Sequence, residues 1–513
     1  ELTAKFSRNN ITDLENININ LGFNFGTNNV KASYNTSEGN EISLGWMNSS
    51  HKRGEKREKE SKYVSLTFDD VFIEEKPKIP KFDFNVDFPF SNQPEPGTQL
   101  RTWLEKIDVL TNDPNIEGMV IKLKSIGAGL GKRIEIRNAL QRFKDSGKKI
   151  IVYSEKGISN IDYHLISMAD KIYVNPLTGV DLRGLKMEVT FYRGLLDSLK
   201  IKPHVWRVNK DGKSYKTAGD PILNTKMSDE MKENYTQLLD DFYNQFITDI
   251  SIGRGWTIEQ TENIINAGPY WSTQRAIDEG LVTGQKYPDD FDAYIDEMNN
   301  DNDMLKFNEI NKIQNYDYSW KQVDKPKIAI IYAVGGIVSG NSIPGPQGST
   351  TMGDKTIIKA IKNAKDDKPD AIILRIDSGG GSALASDQMW KEILNTTDAD
   401  IPFIASMSDI AASGGYYIAC KADTIISYPT TITGSIGVIG MGFNLFELYS
   451  KIGINQEVIK RGEFSDLLTQ SREWTDEENK KMQDSIEEFY RIFKERVVDG
   501  RNTLNDINTL DNI

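Results

Sequence analysis

The chain repeats itself, and the repeat constrains its fold more than any other feature. Ala169–Pro176 reads Ala-Asp-Lys-Ile-Tyr-Val-Asn-Pro, and 253 positions later Ala422–Pro429 reads Ala-Asp-Thr-Ile-Ile-Ser-Tyr-Pro. Upstream, Ile116–Leu123 pairs in kind with Pro369–Ile376, and Lys148–Tyr153 with Ile401–Ser406. Each matched run is apolar and of strand length, and helix-forming stretches separate successive runs. Strands that alternate with helices imply parallel pairing through crossover helices. The expectation is an α/β protein with two tandem copies of one unit, over residues 81–322 and 323–513. A chain of 513 residues lets each copy bury a core of its own.

The second copy carries a nucleophile candidate. Ser413 lies in Ala411-Ala-Ser-Gly-Gly-Tyr-Tyr417, where an apolar strand gives way to a helix-forming run. Gly414 then offers a backbone N–H at a helix start, where unpaired donors and the macrodipole favour negative charge. A second glycine cluster, Asp377-Ser-Gly-Gly-Gly-Ser382, follows the apolar run Ala371–Ile376, so the Gly380 N–H can converge with that of Gly414 on one oxyanion. Either cluster alone also reads as an ordinary strand-to-helix turn. At the repeat offset Ser413 corresponds to Asn160, so the first copy has no nucleophile there.

The order strand, Gly-rich turn, helix, strand, Ser-Gly-Gly, helix, strand and then Thr433-Gly-Ser-Ile-Gly-Val438 resembles the signal peptide peptidase A family. These are serine proteases of peptidase family S49, with the ClpP/crotonase superfold. The likeness in organisation covers roughly residues 85–513 and is sharpest between Ile328 and Gly440. One departure is Ser378-Gly-Gly-Gly381, where the family usually has Ser-Pro-Gly-Gly; the donors remain but the turn is looser.

The resemblance implies a lysine as the base, carried by the other copy. Long family members have Tyr-Lys-Ser-Ala where this chain has Tyr215-Lys-Thr-Ala218, which makes Lys216 the candidate, with Lys213 and Lys210 as weaker competitors. Ser435 is expected to orient it. In the second copy Val458–Asp466 stands where Gly212–Thr217 stands in the first, and Ser465 takes the place of Lys216. Each half lacks what the other keeps, as expected if one site is assembled across both. An ordinary lysine, with a pKa near ~10.4, cannot accept a proton at neutral pH, and lowering it to roughly 7–8 takes about 3–5 kcal/mol of destabilisation of the charged form. Lys216 must therefore be buried. A histidine base is poorly supported: His51 lies in a charge-rich stretch, while His164 and His204 read as structural residues of a helix and a strand.

Composition removes other classes. A net charge of −13 leaves no basic footprint for nucleic acid. The lone Cys420 excludes an intrachain disulfide and is expected in the core. Metal-ligand spacings, P-loops and dinucleotide fingerprints are missing, so no cofactor is expected.

Residues 1–80 differ in kind. Ile17–Gly26, Asn29–Tyr34 and Glu41–Trp46 alternate apolar with polar at period two between turns, which reads as β-hairpins. Such alternation fits strands of an outer-membrane barrel or hairpins on a soluble sheet. The charged run His51–Ser61 reads as a solvated connector. No apolar run of spanning length follows Glu1, so an anchor is expected to be absent or removed. The first copy's closing segment Tyr270–Val282 has no counterpart before Ile513, and a shortened C-terminus is expected.

The combined expectation is a serine endopeptidase with a Ser413/Lys216 dyad and an oxyanion hole from Gly380 and Gly414. The resemblance further implies apolar signal-peptide remnants as substrates, a homo-oligomer of four chains, and membrane association in the extracytoplasmic part of the bacterial envelope. Two alternatives come from other classes: an acyl-CoA enzyme of the same superfold, and a catalytically silent envelope scaffold.

Overall fold

A computed structural model describes residues 63–75, 97–210, 212–299, 303–310, 326–343 and 351–501, together with four strands nearer the N-terminus. Those four, Leu2–Asn10, Glu15–Phe25, Asn28–Asn35 and Glu41–Asn48, pair antiparallel in sequence order, as their period-two alternation requires. The charged run 51–61 lies outside the described residues.

The repeat appears as two parallel sheets. In the first, Lys171–Val174, Lys149–Ser154, Gly118–Gly127 and Tyr63–Ile73 lie side by side, with short strands at both edges. In the second, Thr424–Ile426, Phe403–Ala412, Ala371–Ser378 and Ile328–Val334 take the same order, and Ile432–Gly434 pairs further along Phe403–Ala412. The three strand pairs matched in the sequence occupy equivalent places. Met119, Val120 and Ile121 are all buried although they are consecutive, because helices cover both faces of a parallel sheet.

The first sheet begins earlier than residue 81. Tyr63–Ile73 pairs with Gly118–Gly127 along most of its length, and Tyr63, Val64, Leu66, Phe68 and Phe72 are buried. This strand falls within the stretch that the sequence assigned to hairpins and linker, because the charged run hid where the core pattern starts.

Among the described residues, two extended contacts stand out between the copies. Lys202–Arg207 pairs antiparallel with Ile439–Asn444 over six residues, forming a ribbon with one strand from each copy. Trp206 on that ribbon stacks on Trp474 with ring centroids 5.7 Å apart, and Ile486 packs beside them. The second contact is the helix Leu130–Asp145 of the first copy against strand Phe403–Ala412 of the second. There the half-buried Arg375 holds Glu74 at 2.9 Å and also pairs with Glu135. Among the described residues no helix is long and apolar enough to cross a membrane.

Candidate active site

Strand Phe403–Ala412 runs straight into Ser413, and helix Gly414–Ala419 leaves from it. Ser413 has φ 53° and ψ −120°, a conformation that glycine adopts freely and other residues rarely do. The turn is held from outside, since the Ser413 N–H donates to the Gly434 carbonyl at 2.9 Å. That bond ties the nucleophile turn to the Thr433-Gly-Ser-Ile-Gly segment.

The glycine turn after Ala371–Ser378 comes against the same place. A Cβ on Gly380 would lie 2.6 Å from the Gly414 nitrogen and 2.9 Å from Ser413 Cβ, and Gly380 has φ +98°. Only glycine lets the two turns approach this closely. The Gly380 N–H donates to Ser378 Oγ at 3.2 Å, the long end of the normal range, and that hydroxyl donates to the Gly335 carbonyl at 2.7 Å. The Gly380 N–H is therefore engaged by a neutral hydroxyl, a weaker acceptor than an anion.

Lys216 arrives from the first copy. The ribbon brings its segment over the second copy, and Lys216 Nζ donates to Ser413 Oγ at 3.1 Å, to Ser435 Oγ at 2.8 Å and to the Ser435 carbonyl at 2.7 Å. Arg207, on the ribbon itself, fixes the backbone behind it by donating to the Lys216 carbonyl at 3.1 Å and to Asp220 at 2.6 Å. Asp220 is fully buried and also accepts from Ser228. Among the described residues no carboxylate offsets the burial of the ammonium, and desolvation lowers the pKa of Lys216 to about 8. The competing lysines lie elsewhere: Lys210 and Lys213 pair through their backbones across an exposed turn.

The remaining sequence candidates have structural surroundings. His164 is buried against Phe246 with Nε2 2.7 Å from Asp249, and His204 packs on Trp474 within the ribbon region. His51 lies outside the described residues. Cys420 is buried and its thiol is pushed up to about 12 by desolvation, which leaves it unreactive. Ser465, at the place of Lys216 in the second copy, donates to the Gly462 carbonyl in an exposed turn. In the first copy, Asn160 occupies the position that corresponds to Ser413. Its Oδ1 accepts from the Arg183 and Gly184 N–H groups at 2.9 and 3.2 Å, and its Nδ2 donates to the Gly184 carbonyl at 2.8 Å.

Sequence reasoning missed Arg207, Asp220 and Ser378. Arg207 and Ser378 hold the backbones of Lys216 and Gly380, and Asp220 holds Arg207; Ser378 stood in a quoted motif but without a role, and no motif marks the other two.

Comparison with known proteins places the chain in a family. A family profile described as Peptidase family S49 matches residues 142–302 and 395–511. The chain is 35% identical over 422 residues to the chloroplastic serine protease SPPA of Arabidopsis thaliana, covering 79% of this chain and 60% of that one. It is 34% identical over 373 residues to Protease 4 of Haemophilus influenzae (69% and 58%) and 32% identical over 409 residues to Protease 4 of Salmonella typhi (76% and 63%). The chain thus spans between 58% and 63% of the length of these curated relatives. With more than half of its residues matched by the profile, in one segment from each copy, the chain belongs to peptidase family S49.

Proposed function

We propose that this chain is a serine endopeptidase in which Ser413 and Lys216 form the catalytic dyad. The carrying observation is the 3.1 Å bond between Lys216 Nζ and Ser413 Oγ in a setting that lowers the amine to about 8. Neutral Lys216 takes the Ser413 proton as Oγ attacks the scissile carbonyl. The developing oxyanion accepts from the Gly380 and Gly414 N–H groups, and Ser435 keeps the amine aimed. Collapse breaks the C–N bond, and Lys216 returns its proton to the leaving amine. A water molecule, deprotonated by the same amine, then releases the acyl group.

An acyl-CoA enzyme would use the glycine turns alone, and a silent scaffold would use neither turn nor dyad. Neither accounts for a desolvated lysine aimed at a serine. The test is a fluorophosphonate probe on the full chain. Labelling at Ser413 is expected, and it should vanish in both Ser413→Ala and Lys216→Ala. Labelling that persists in Lys216→Ala would reject this base.

Gly380→Ala is expected to slow labelling by about 10²–10³, because the added methyl pushes one oxyanion donor away from the other. A rate within a factor of about two of wild type would remove Gly380 from the oxyanion hole.

The same reading extends to substrate and setting. Apolar, signal-peptide-like segments are the proposed substrates, cleaved at the envelope membrane by an oligomer, four chains by family likeness. Support for self-association is an ordered but uncovered apolar surface. Helices Arg193–Leu199 and Phe446–Ile452 bury none of their residues, and Ile452, Ile454, Val458 and Ile459 face solvent. A single-chain mass by light scattering would remove the oligomer from this reading.

A further inference from the structure

A buried charge cluster between the copies takes no part in the steps above, yet it touches both strands that lead to the site. Lys132 Nζ, on a side chain only 6% exposed, lies 2.5 Å from Asp377 Oδ2, 2.5 Å from Asp409 Oδ2 and 3.9 Å from Glu74 Oε1. Its backbone N–H also donates to Asp409 Oδ1 at 2.8 Å. The lysine comes from the first copy, at the start of helix Leu130–Asp145. Both aspartates belong to the second copy. Asp377 opens the turn that ends in Gly380, and Asp409 lies just ahead of Ser413.

The two strands slip against each other at this point. Ile376 pairs with Met407 but Ser378 pairs with Ala411, so Ser408, Asp409 and Ile410 together oppose Asp377. A bulge of this kind bends a strand and re-aims the residues beyond it. Here the residue re-aimed is the nucleophile. The bulge is held by polar contacts: Asp377 Oδ1 accepts from the Ile410 N–H at 3.3 Å, and the Ser408 carbonyl accepts from Thr431 Oγ1 at 2.8 Å. The first copy's helix fits against it so closely that a Cβ on Gly129 would lie 2.3 Å from Asp409 Cγ.

Stability gives a weak reason for such a cluster, since apolar replacements of a buried ion group are often as stable. Geometry gives a stronger one. Two carboxylates facing each other repel, and an ammonium bonded to both fixes their separation.

We propose that Lys132, from the copy without a nucleophile, is a positioning residue for hydrolysis at Ser413: by tying Asp377 to Asp409 it sets the separation of the Gly380 turn from the Ser413 turn. This rests on the peptidase reading above. The tolerance is small, because the two turns already meet at van der Waals distance, and a displacement of about 1 Å at reacting groups can lower a rate on the order of 100-fold.

The experiment compares wild type with Lys132→Met, Lys132→Arg and the double variant Lys132→Met/Asp409→Asn, all as full chains. The double variant removes one charge of each sign, so that Asp377 and Asp409 no longer face each other as two carboxylates. A fluorogenic peptide gives kcat and KM, the fluorophosphonate counts competent sites, and melting temperature reports folding. Both methionine variants are expected to lose about 10- to 100-fold in kcat per titrated site, with KM nearly constant. The pH midpoint set by Lys216 should stay in place, and Lys132→Arg should recover part of the rate. Wild-type kcat per titrated site in the double variant overturns the assignment, as does a rate loss that simply tracks melting temperature. A wild type that neither cleaves peptide nor takes the probe fails the peptidase reading itself, and the assignment with it. An active wild type matched by its variants rejects the assignment alone.

Discussion

Ser413→Gly is expected to destroy turnover, by about 10⁶ in kcat, and to make the protein more stable. The second effect comes from the backbone. Ser413 sits at φ 53° and ψ −120°, the mirror image of an ordinary extended conformation, which the Cβ of an L-residue disfavours. Holding a non-glycine residue in such a region costs on the order of 1–3 kcal/mol, and the flanking bonds, Ser413 N–H to Gly434 among them, leave it no other choice. Glycine relieves most of that strain and returns part of the gain as lost chain entropy, so a net of about 1 kcal/mol is expected. In a domain of this size that raises the melting temperature by roughly 2–4 °C. Ser413→Ala supplies the control, with the same loss of kcat but an unchanged melting temperature, because alanine keeps the Cβ. A Ser413→Gly variant that melts at or below wild type would show that the turn is unstrained. The rate argument would then stand without the stability argument.

Lys216→Met is expected to lower kcat at pH 7 by about 10²–10⁴ and to erase the pH dependence of the wild type. Only the neutral amine can take the Ser413 proton, so wild-type kcat/KM should climb with pH and level off above about 8. The stability effect has the opposite sign to the rate effect. The folded amine titrates at about 8 and the unfolded one near its ordinary 10.5, so between these values the unfolded chain binds more protons and stability rises with pH. The contribution is fully present above the unfolded value and is lost as pH falls through about 8. At pH 7 the folded protein therefore carries a penalty of roughly 3 kcal/mol for its protonated, desolvated lysine. Methionine keeps the length and removes the charge, so Lys216→Met should be the more stable protein at pH 7 and lose that advantage by pH 10.5. Denaturant titrations at the two pH values measure this directly. An advantage that does not change with pH would mean that Lys216 is solvated and its amine unperturbed.

How much of this could be read without coordinates depended on the range of the contact. The parallel sheets arise from short apolar runs repeated at a fixed offset, which are local patterns. Ser413, Gly414 and Gly380 lie on strand-to-helix turns, where the residue types themselves describe the backbone. Lys216 was different: nothing local marks it, and it was found through likeness to a family motif and through the complementary losses of the two copies. The ribbon that delivers it, Lys202–Arg207 with Ile439–Asn444, was not foreseen, because antiparallel pairing across more than two hundred residues leaves no trace in periodicity. Lys132 was missed for a related reason. A lysine in the first turn of a helix reads as a solvated side chain until another domain covers it. The early start of the first sheet at Tyr63 was hidden by the neighbouring run of alternating charges.

The ribbon has a consequence for inheritance as well as for catalysis. In the proposed dyad one polypeptide supplies both the amine and the hydroxyl, so each chain would hold a centre of its own. Two defective chains, one damaged in each half, cannot rescue each other by exchanging partners. On the proposed mechanism, duplication in this molecule has joined what a pair of subunits could have shared, and a lesion in either half is expected to silence the whole polypeptide that carries it.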